Sequence, residues 1–148
     1  MSIYENGLVD SNVLVYAALK DSEYFRPANA LRNQALNGTL QLFITPQILA
    51  EFFAVITDPR RVSDPRSIEE ALQEIKKYLE APGFTLLPIS ADVVLKMTEL
   101  CRHHPVKAQE IFNVQIAANM LAHGIRTIYT FNKADFEKFD EVNVIVPS

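Results

Sequence analysis

Three acidic side chains lie in apolar segments of the chain, where a buried core would normally contain no charge. Asp10 interrupts an apolar run near the start, Glu51 is the only charged residue in an apolar helical pattern, and Asp135 follows the predicted strand that ends in residues 128–131. An unpaired buried carboxylate is costly, and only Asp135 has a nearby cation, Lys133. Carboxylate oxygens are the ligands that Mg²⁺ and Mn²⁺ prefer, so the pattern predicts a divalent-metal site for phosphodiester chemistry.

Each acid also has an ordinary structural interpretation. Taken alone, Asp10, Glu51 or Asp135 could cap a helix or pair with an arginine from elsewhere in the chain. The placement of all three in apolar segments favours the metal site over three separate structural roles.

Two further polar residues accompany an apolar helical segment at positions 109–123. Asn113 lies near its amino end, and Glu110 precedes Asn113 by three residues. Residues three apart share one face of a helix. We therefore expect Glu110 and Asn113 to face the same cleft as the acids.

Short apolar runs alternate with longer segments of helical periodicity, which is the pattern of a parallel sheet covered by helices. The sequence therefore predicts an α/β fold with a parallel sheet of about five strands. Ser67 and Glu70 form a predicted capping box, and Thr45 with Pro46 is a predicted helix start. We expect strands at 7–10, 40–45, 84–89, 125–130 and 142–146, and helices after the first strand and at 27–36, 46–57, 68–79, 90–101 and 109–123.

The three acids fall on one edge of this predicted sheet. Asp10 and Asp135 follow strands, and Glu51 lies one turn into the helix after the strand at 40–45. In parallel α/β sheets the carboxyl ends of the strands and the first turns of the following helices form the edge where ligands bind. The elements are therefore expected to bring the acids together.

Length and composition limit the class of protein. A chain of 148 residues with 49% hydrophobic and 22% charged residues predicts a single domain over 1–148. Its four glycines are far apart, which excludes a glycine-rich phosphate loop. Cys101 is the only cysteine, so no intrachain disulfide is possible and a cytoplasmic location is expected. The sequence predicts neither a signal peptide nor a membrane span.

The overall charge does not attract nucleic acid. Fourteen basic and 18 acidic residues give a formal net charge of -4, so a polyanion must be met by a local patch. Arg60, Arg61 and Lys133 are the candidates for binding the phosphates of such a polyanion, although a solvated loop explains the two arginines equally well.

Four segments together resemble a known family, the PIN domains, and within it the toxin ribonucleases of VapBC-type toxin–antitoxin pairs. The resemblance covers essentially the whole chain, with the segments in the family's order and spacing. They are residues 8–17 (LVDSNVLVYA), Glu51, residues 111–118 (IFNVQIAA) and residues 130–136 (TFNKADF).

The resemblance implies a three-layer αβα sandwich and an Mg²⁺- or Mn²⁺-dependent endoribonuclease, in which a metal-activated water attacks the RNA phosphate. It also implies a homodimer that a cognate antitoxin inhibits. Carried over by position, Asp10, Glu51 and Asp135 match the family's acidic metal ligands. The supporting polar positions of the family are matched by Asn12, Thr130 and Asn132.

Asn113 departs from the family, which normally has aspartate at this position. An asparagine carbonyl can still coordinate Mg²⁺ but brings no negative charge. The chain is therefore expected to be either a nuclease of reduced activity or a degenerate PIN domain that binds RNA or antitoxin with little turnover. A haloacid-dehalogenase-like phosphatase is a third interpretation, but Asn12 stands where that family needs a second acid.

Overall fold

Five short strands form one parallel sheet in the computed structural model, which describes residues 4–148. The strand order is β3-β2-β1-β4-β5, so the chain builds outward from β1 on one side and then returns to the other side. This order puts a topological switch point between β1 and β4. The strands are β1 (Gly7–Val9), β2 (Leu42–Ile44), β3 (Phe84–Leu86), β4 (Thr127–Tyr129) and β5 (Asn143–Ile145).

Six α-helices flank the sheet within residues 4–148, giving the predicted three-layer α/β architecture. Two short 3₁₀ turns, Ala108–Glu110 and Lys133–Asp135, interrupt the connections. No helix in this part of the chain is both long and apolar enough to cross a membrane. The helices are α1 (Ser11–Ala18), α2 (Phe25–Leu36), α3 (Pro46–Ile56), α4 (Ile68–Glu80), α5 (Ala91–His103) and α6 (Ile111–Ala122).

The central strands are buried on both faces, as expected for a parallel sheet covered by helices. Leu8 of β1 pairs with Phe43 of β2 on one side and with Ile128 of β4 on the other. Every residue of β1 and β4 is buried. The carboxyl ends of these two strands are therefore held rigidly side by side.

Local signals in the sequence start two of the helices. Thr45 Oγ1 accepts a hydrogen bond of 3.1 Å from the backbone N–H of Ile48, and Pro46 occupies the first turn of α3. Ser67 and Glu70 form the predicted capping box at the start of α4. Ser90 precedes α5, but its side chain makes no capping hydrogen bond.

Three large apolar residues of α4, Ile68, Leu72 and Leu79, recur at helical spacing and form what we call its apolar stripe. Ile68, Leu72 and Leu79 are 67%, 47% and 51% exposed. Among the residues of α4, only Ala71 and Tyr78 are fully buried. The stripe therefore forms an apolar surface of the isolated chain.

We expect Gly83→Ala to destabilise the fold. A Cβ at Gly83 would overlap the carbonyl oxygens of Ala35 and Leu40, so the backbone would have to shift at the start of β3. Overpacking of this kind costs about 1–3 kcal/mol, to be measured by urea unfolding. Gly124→Ala is the comparison, since a Cβ there meets no atom within 4 Å and only the φ of +75° is unfavourable. Equal stability of Gly83→Ala and the wild-type protein would contradict the packing described for this turn.

Candidate active site

A cavity of about 490 Å³ opens at the carboxyl ends of β1 and β4, at the switch point of the sheet. This is the position at which open α/β sheets bind ligands. Asp10, Glu51, Asn113 and Asp135 all line the cavity. The four predicted metal-binding positions come from four separate segments of the chain and share one space.

Asp10 follows β1 directly and caps α1. Its Oδ1 accepts a hydrogen bond of 2.8 Å from the backbone N–H of Ser11. Its Oδ2 accepts bonds of 2.9 Å from the hydroxyl of Thr130 and 3.3 Å from the amide of Asn12. The side chain is buried, so these donors hold a carboxylate in a fixed orientation away from bulk water.

Burial raises the pKa of Asp10 from 3.8 to about 6. The hydrogen bonds from Thr130 and Ser11 oppose this increase, whereas the negative charges of Glu51 and Asp135 add to it. The carboxyl group is thus in an environment that would be stabilised by a cation.

Glu51 is held by two residues that the sequence analysis did not select. Gln47, one turn earlier on α3, donates a hydrogen bond of 2.7 Å from Nε2 to Oε1 of Glu51. Ser11 donates one of 3.3 Å from Oγ to Oε2. Gln47 also donates to the carbonyl of Phe112 at 3.1 Å, which ties α3 to the segment carrying Asn113. The four-residue spacing of Gln47 and Glu51 was a usable signal for this pair.

The polar residues after β4 connect Asp10 to Asp135. Asn12 donates a bond of 3.2 Å to Thr130 Oγ1, and its own Oδ1 accepts one of 3.1 Å from the backbone N–H of Phe131. Thr130 Oγ1 also accepts from the backbone N–H of Asn132 at 3.0 Å. Asn132 then donates to Asp135 Oδ2 at 2.6 Å. The three supporting residues predicted from the sequence form one continuous network.

The acids share the cavity without forming a ready-made cluster. Within residues 4–148, no three carboxylate, imidazole or thiol groups lie close enough together to hold a metal ion. The donor chemistry nevertheless suits a hard cation, because Asp10, Glu51, Asp135 and the amide of Asn113 offer only oxygen ligands apart from one amide nitrogen. The residues therefore fit Mg²⁺ or Mn²⁺ in type, with three negative charges.

Comparisons with known proteins agree with this architecture. The family model described as PIN domain matches residues 7–142. The chain belongs to the PIN domain family. This confirms the resemblance inferred from the four sequence segments, and membership removes the basis for the phosphatase interpretation.

Relatives of this PIN domain are ribonucleases by name. VapC ribonuclease Mb2897 of Mycobacterium bovis and ribonuclease VapC43 of Mycobacterium tuberculosis are each 27% identical to it over 113 residues. The matched region covers 76% of this chain and 77% of each relative.

Solved structures share its fold over nearly the whole chain. VapBC2 from Rickettsia felis, bound to a promoter DNA fragment, has a TM-score of 0.66 at 19% identity and covers 97% of this chain and 99% of that one. VapC20 of Mycobacterium tuberculosis, a toxin that cleaves the sarcin–ricin loop, has a TM-score of 0.65 at 14% identity. It covers 89% of this chain and 94% of that one.

The structure separates the three candidates for phosphate binding. Arg61 lines the cavity of the PIN domain. Arg60 lies outside the cavity lining and pairs with Asp58 through a bond of 3.1 Å. Lys133 is exposed at the start of a 3₁₀ turn and also lies outside the lining. Arg61 is therefore the candidate that the geometry favours.

Glu110 is not beside Asn113 in the cleft, which corrects the expectation from their spacing. It lies in the 3₁₀ turn Ala108–Glu110 and accepts a bond of 3.1 Å from Lys138 Nζ. This pairing also lowers the pKa of Glu110. Glu110 has helical φ and ψ values of -58° and -20°. Hydrogen bonds from Lys138 Nζ and from the backbone N–H of Lys107 nevertheless hold its carboxylate outside the cavity lining.

The raised pKa of Asp10 predicts how stability depends on pH when metal is removed. Because the pKa is higher in the folded state than in the unfolded state, the folded protein binds more protons between pH 3.8 and about 6. The contribution of Asp10 to the free energy of unfolding therefore rises as the pH falls through this range, by up to about 3 kcal/mol. We expect the difference in stability between the wild-type protein and Asp10→Asn, measured by thermal unfolding in chelator, to shift in favour of the wild type on acidification. If the stabilities of the two proteins changed in parallel with pH, the raised pKa of Asp10 would be contradicted.

Proposed function

We propose that this PIN domain is an endoribonuclease toxin that uses Mg²⁺ or Mn²⁺ to hydrolyse RNA phosphodiesters. The observation that carries the proposal is the convergence of Asp10, Glu51, Asn113 and Asp135 on one cavity at the switch point of the sheet. Three carboxylates of one sign in a shared space favour a divalent cation. The names of the relatives, ribonucleases of the VapC type, support the choice of RNA as substrate.

The proposal assigns the metal to the carboxylates of Asp10, Glu51 and Asp135 and the amide oxygen of Asn113. When bound, such an ion supplies a water of lowered pKa and stabilises negative charge on the phosphate. Thr130 and Asn12 orient Asp10 through their hydrogen bonds to Oδ2.

The other residues of the cavity have separate roles in this proposal. Gln47 and Ser11 orient the carboxylate of Glu51, and Asn132 does the same for Asp135. Arg61, which lines the same cavity, can bind a phosphate oxygen of the RNA.

A second candidate function rests on Asn113. With an amide instead of a carboxylate at this position, the cavity has three formal negative charges rather than four. A domain of this kind could bind RNA or an antitoxin with little or no turnover. The two functions differ in one observable, since only the nuclease converts RNA to products when metal is present.

The proposed partners are a cognate antitoxin and a second copy of the chain, acting in the cytoplasm. Solved neighbours include a toxin–antitoxin complex from Klebsiella pneumoniae, at a TM-score of 0.62. The exposed apolar stripe of α4, Ile68, Leu72 and Leu79, offers surface for such contacts. Light scattering of the purified chain tests the homodimer, since the monomer has a mass of 16.7 kDa.

Cleavage of an end-labelled, mixed-sequence single-stranded RNA tests the nuclease function. The reaction is run with Mn²⁺, with Mg²⁺ and with chelator, using the wild-type protein and Glu51→Gln. We expect products only with metal and far less product from Glu51→Gln. Metal-dependent RNA binding without products would support the binding-only candidate, and cleavage in chelator would contradict the proposed chemistry.

A further inference from the structure

The lining of the cavity contains two chemically different groups of side chains. One group is the carboxylates of Asp10, Glu51 and Asp135, and the other is three aromatic rings. We call the rings the aromatic wall, which consists of Tyr16, Tyr24 and Phe131. The metal chemistry proposed above uses none of these rings, and their presence beside the acids needs its own explanation.

The rings of the aromatic wall are in mutual contact. Tyr24 and Phe131 have centroids 4.8 Å apart with an interplanar angle of 32°. Tyr16 meets Tyr24 at 5.0 Å and 57°, and it meets Phe131 edge-on at 5.3 Å and 84°. The wall is thus a preformed aromatic surface built from α1, the residue before α2 and the segment after β4.

Packing explains only part of this arrangement. Tyr16 and Phe131 are half-buried, as core-rim residues usually are. Tyr24 remains 40% exposed although it lines the cavity. Tyr24 is therefore accessible to a ligand in the cavity.

The aromatic wall is also fixed relative to the acids. The backbone N–H of Phe131 donates to Asn12 Oδ1 at 3.1 Å. Asn12 and Thr130, the residue before Phe131, both donate hydrogen bonds to Oδ2 of Asp10. The position of the Phe131 backbone is therefore coupled to the carboxylate through two hydrogen bonds.

We propose that the aromatic wall is a nucleobase-binding subsite, on which a base next to the cleaved phosphodiester stacks. This inference rests on the proposed nuclease function, because it needs RNA in the cavity. Aromatic rings stack on all four bases, so the subsite contributes affinity and position rather than strict sequence selection. The volume of about 490 Å³ is in the range of small-ligand sites, and Arg61 on the same cavity can hold the adjoining phosphate.

The test measures binding of a short fluorescein-labelled single-stranded RNA by anisotropy. All proteins carry Asp10→Asn, so that the RNA stays uncut during the measurement. We expect Tyr24→Ala to weaken binding about 10-fold and Tyr24→Phe, which keeps a ring, to change it by less than about 2-fold. Phe112→Ala is the control, since that ring is 54% exposed but does not line the cavity.

Two additions separate stacking from a structural effect. Tyr24→Leu keeps apolar contact with the neighbouring rings but cannot stack, so it should lose as much affinity as Tyr24→Ala. The second addition is a series of RNAs, each lacking the base at one nucleotide. Loss of the base at one particular position should weaken binding to the protein with Tyr24, and the same loss should have no further effect on binding to Tyr24→Ala. A purely structural role would change the melting temperature without this coupling to one nucleotide.

The outcomes distinguish the subsite from the nuclease function on which it rests. If the wild-type protein cleaves RNA, but Tyr24→Ala binds as tightly as the protein with Tyr24 and no abasic position is coupled to it, the subsite is wrong and the nuclease function stands. If the wild-type protein neither binds nor cleaves RNA, both are wrong.

Discussion

Asn113→Asp is expected to increase both the affinity for Mn²⁺ and the rate of RNA cleavage. The substitution adds a fourth carboxylate to a cavity that already contains Asp10, Glu51 and Asp135. A charged ligand binds a divalent cation more strongly than an amide oxygen does. Substitution of residues that only hydrogen-bond to metal ligands already changes metal affinity by about 10–100-fold. We therefore expect Asn113→Asp to increase the affinity for Mn²⁺ by at least about 10-fold. Calorimetric titration with Mn²⁺ and initial cleavage rates at low Mn²⁺ measure the two effects.

Gln115→Glu is the matched control for Asn113→Asp. It adds the same charge to the same helix, but Gln115 does not line the cavity. This variant should behave like the wild-type protein in both measurements. An equal effect of the two substitutions would indicate general electrostatics. An unchanged Mn²⁺ affinity of Asn113→Asp, together with an unchanged cleavage rate at low Mn²⁺, would contradict the role of residue 113 as a ligand position.

Asp10→Asn is expected to reduce cleavage by at least about 100-fold while leaving the fold intact. The carboxylate is central to the site, because hydrogen bonds from Ser11, Asn12 and Thr130 direct it. Asparagine is itself a good helix N-cap residue, so α1 should still begin at Ser11. Initial rates with saturating Mn²⁺ measure the loss, and circular dichroism checks the helices.

The same assay contains its own comparison. Asp140 is exposed and lies outside the cavity lining, so Asp140→Asn removes an equal charge from the surface. It should cleave RNA at the wild-type rate. If Asp10→Asn also retained wild-type activity, the cavity would not be the catalytic site.

Local patterns were sufficient to predict most of the fold. The residues of β1 and β4, Gly7–Val9 and Thr127–Tyr129, carry no charge and are all buried, which is typical of central parallel strands. Ser67 and Glu70 define the start of α4 through a contact between residues only three positions apart in the sequence. Signals of this range depend on neighbours in the sequence, so they can be recognised without tertiary information.

The site was only partly predictable because its remaining contacts are long-range. Asp10 and Thr130 are brought together by the pairing of β1 with β4, and their position after apolar strands indicated this edge of the sheet. Nothing local indicates that Tyr24 and Phe131 share a cavity wall. Glu110 was assigned to the cleft by helical spacing, yet hydrogen bonds from Lys107 and the distant Lys138 hold its carboxylate.

The exposed face of α4 shows a different limit. Its apolar spacing predicted a helix, and the helix is present. The same spacing could not distinguish a stripe packed against the core from one left for a partner, because both are periodic. Ile68, Leu72 and Leu79 are exposed in the isolated chain.

Direct measurement of Mn²⁺ binding tests the central claim that the acidic cavity is a divalent-metal site. Free Mn²⁺ has an electron paramagnetic resonance signal that decreases when the ion binds protein, so titrations can compare the wild-type protein with Asp10→Asn and Asp140→Asn. We predict saturable binding by the wild-type protein and Asp140→Asn and strongly weakened binding by Asp10→Asn. Equal binding by all three proteins, or none by the wild-type protein, would contradict the account.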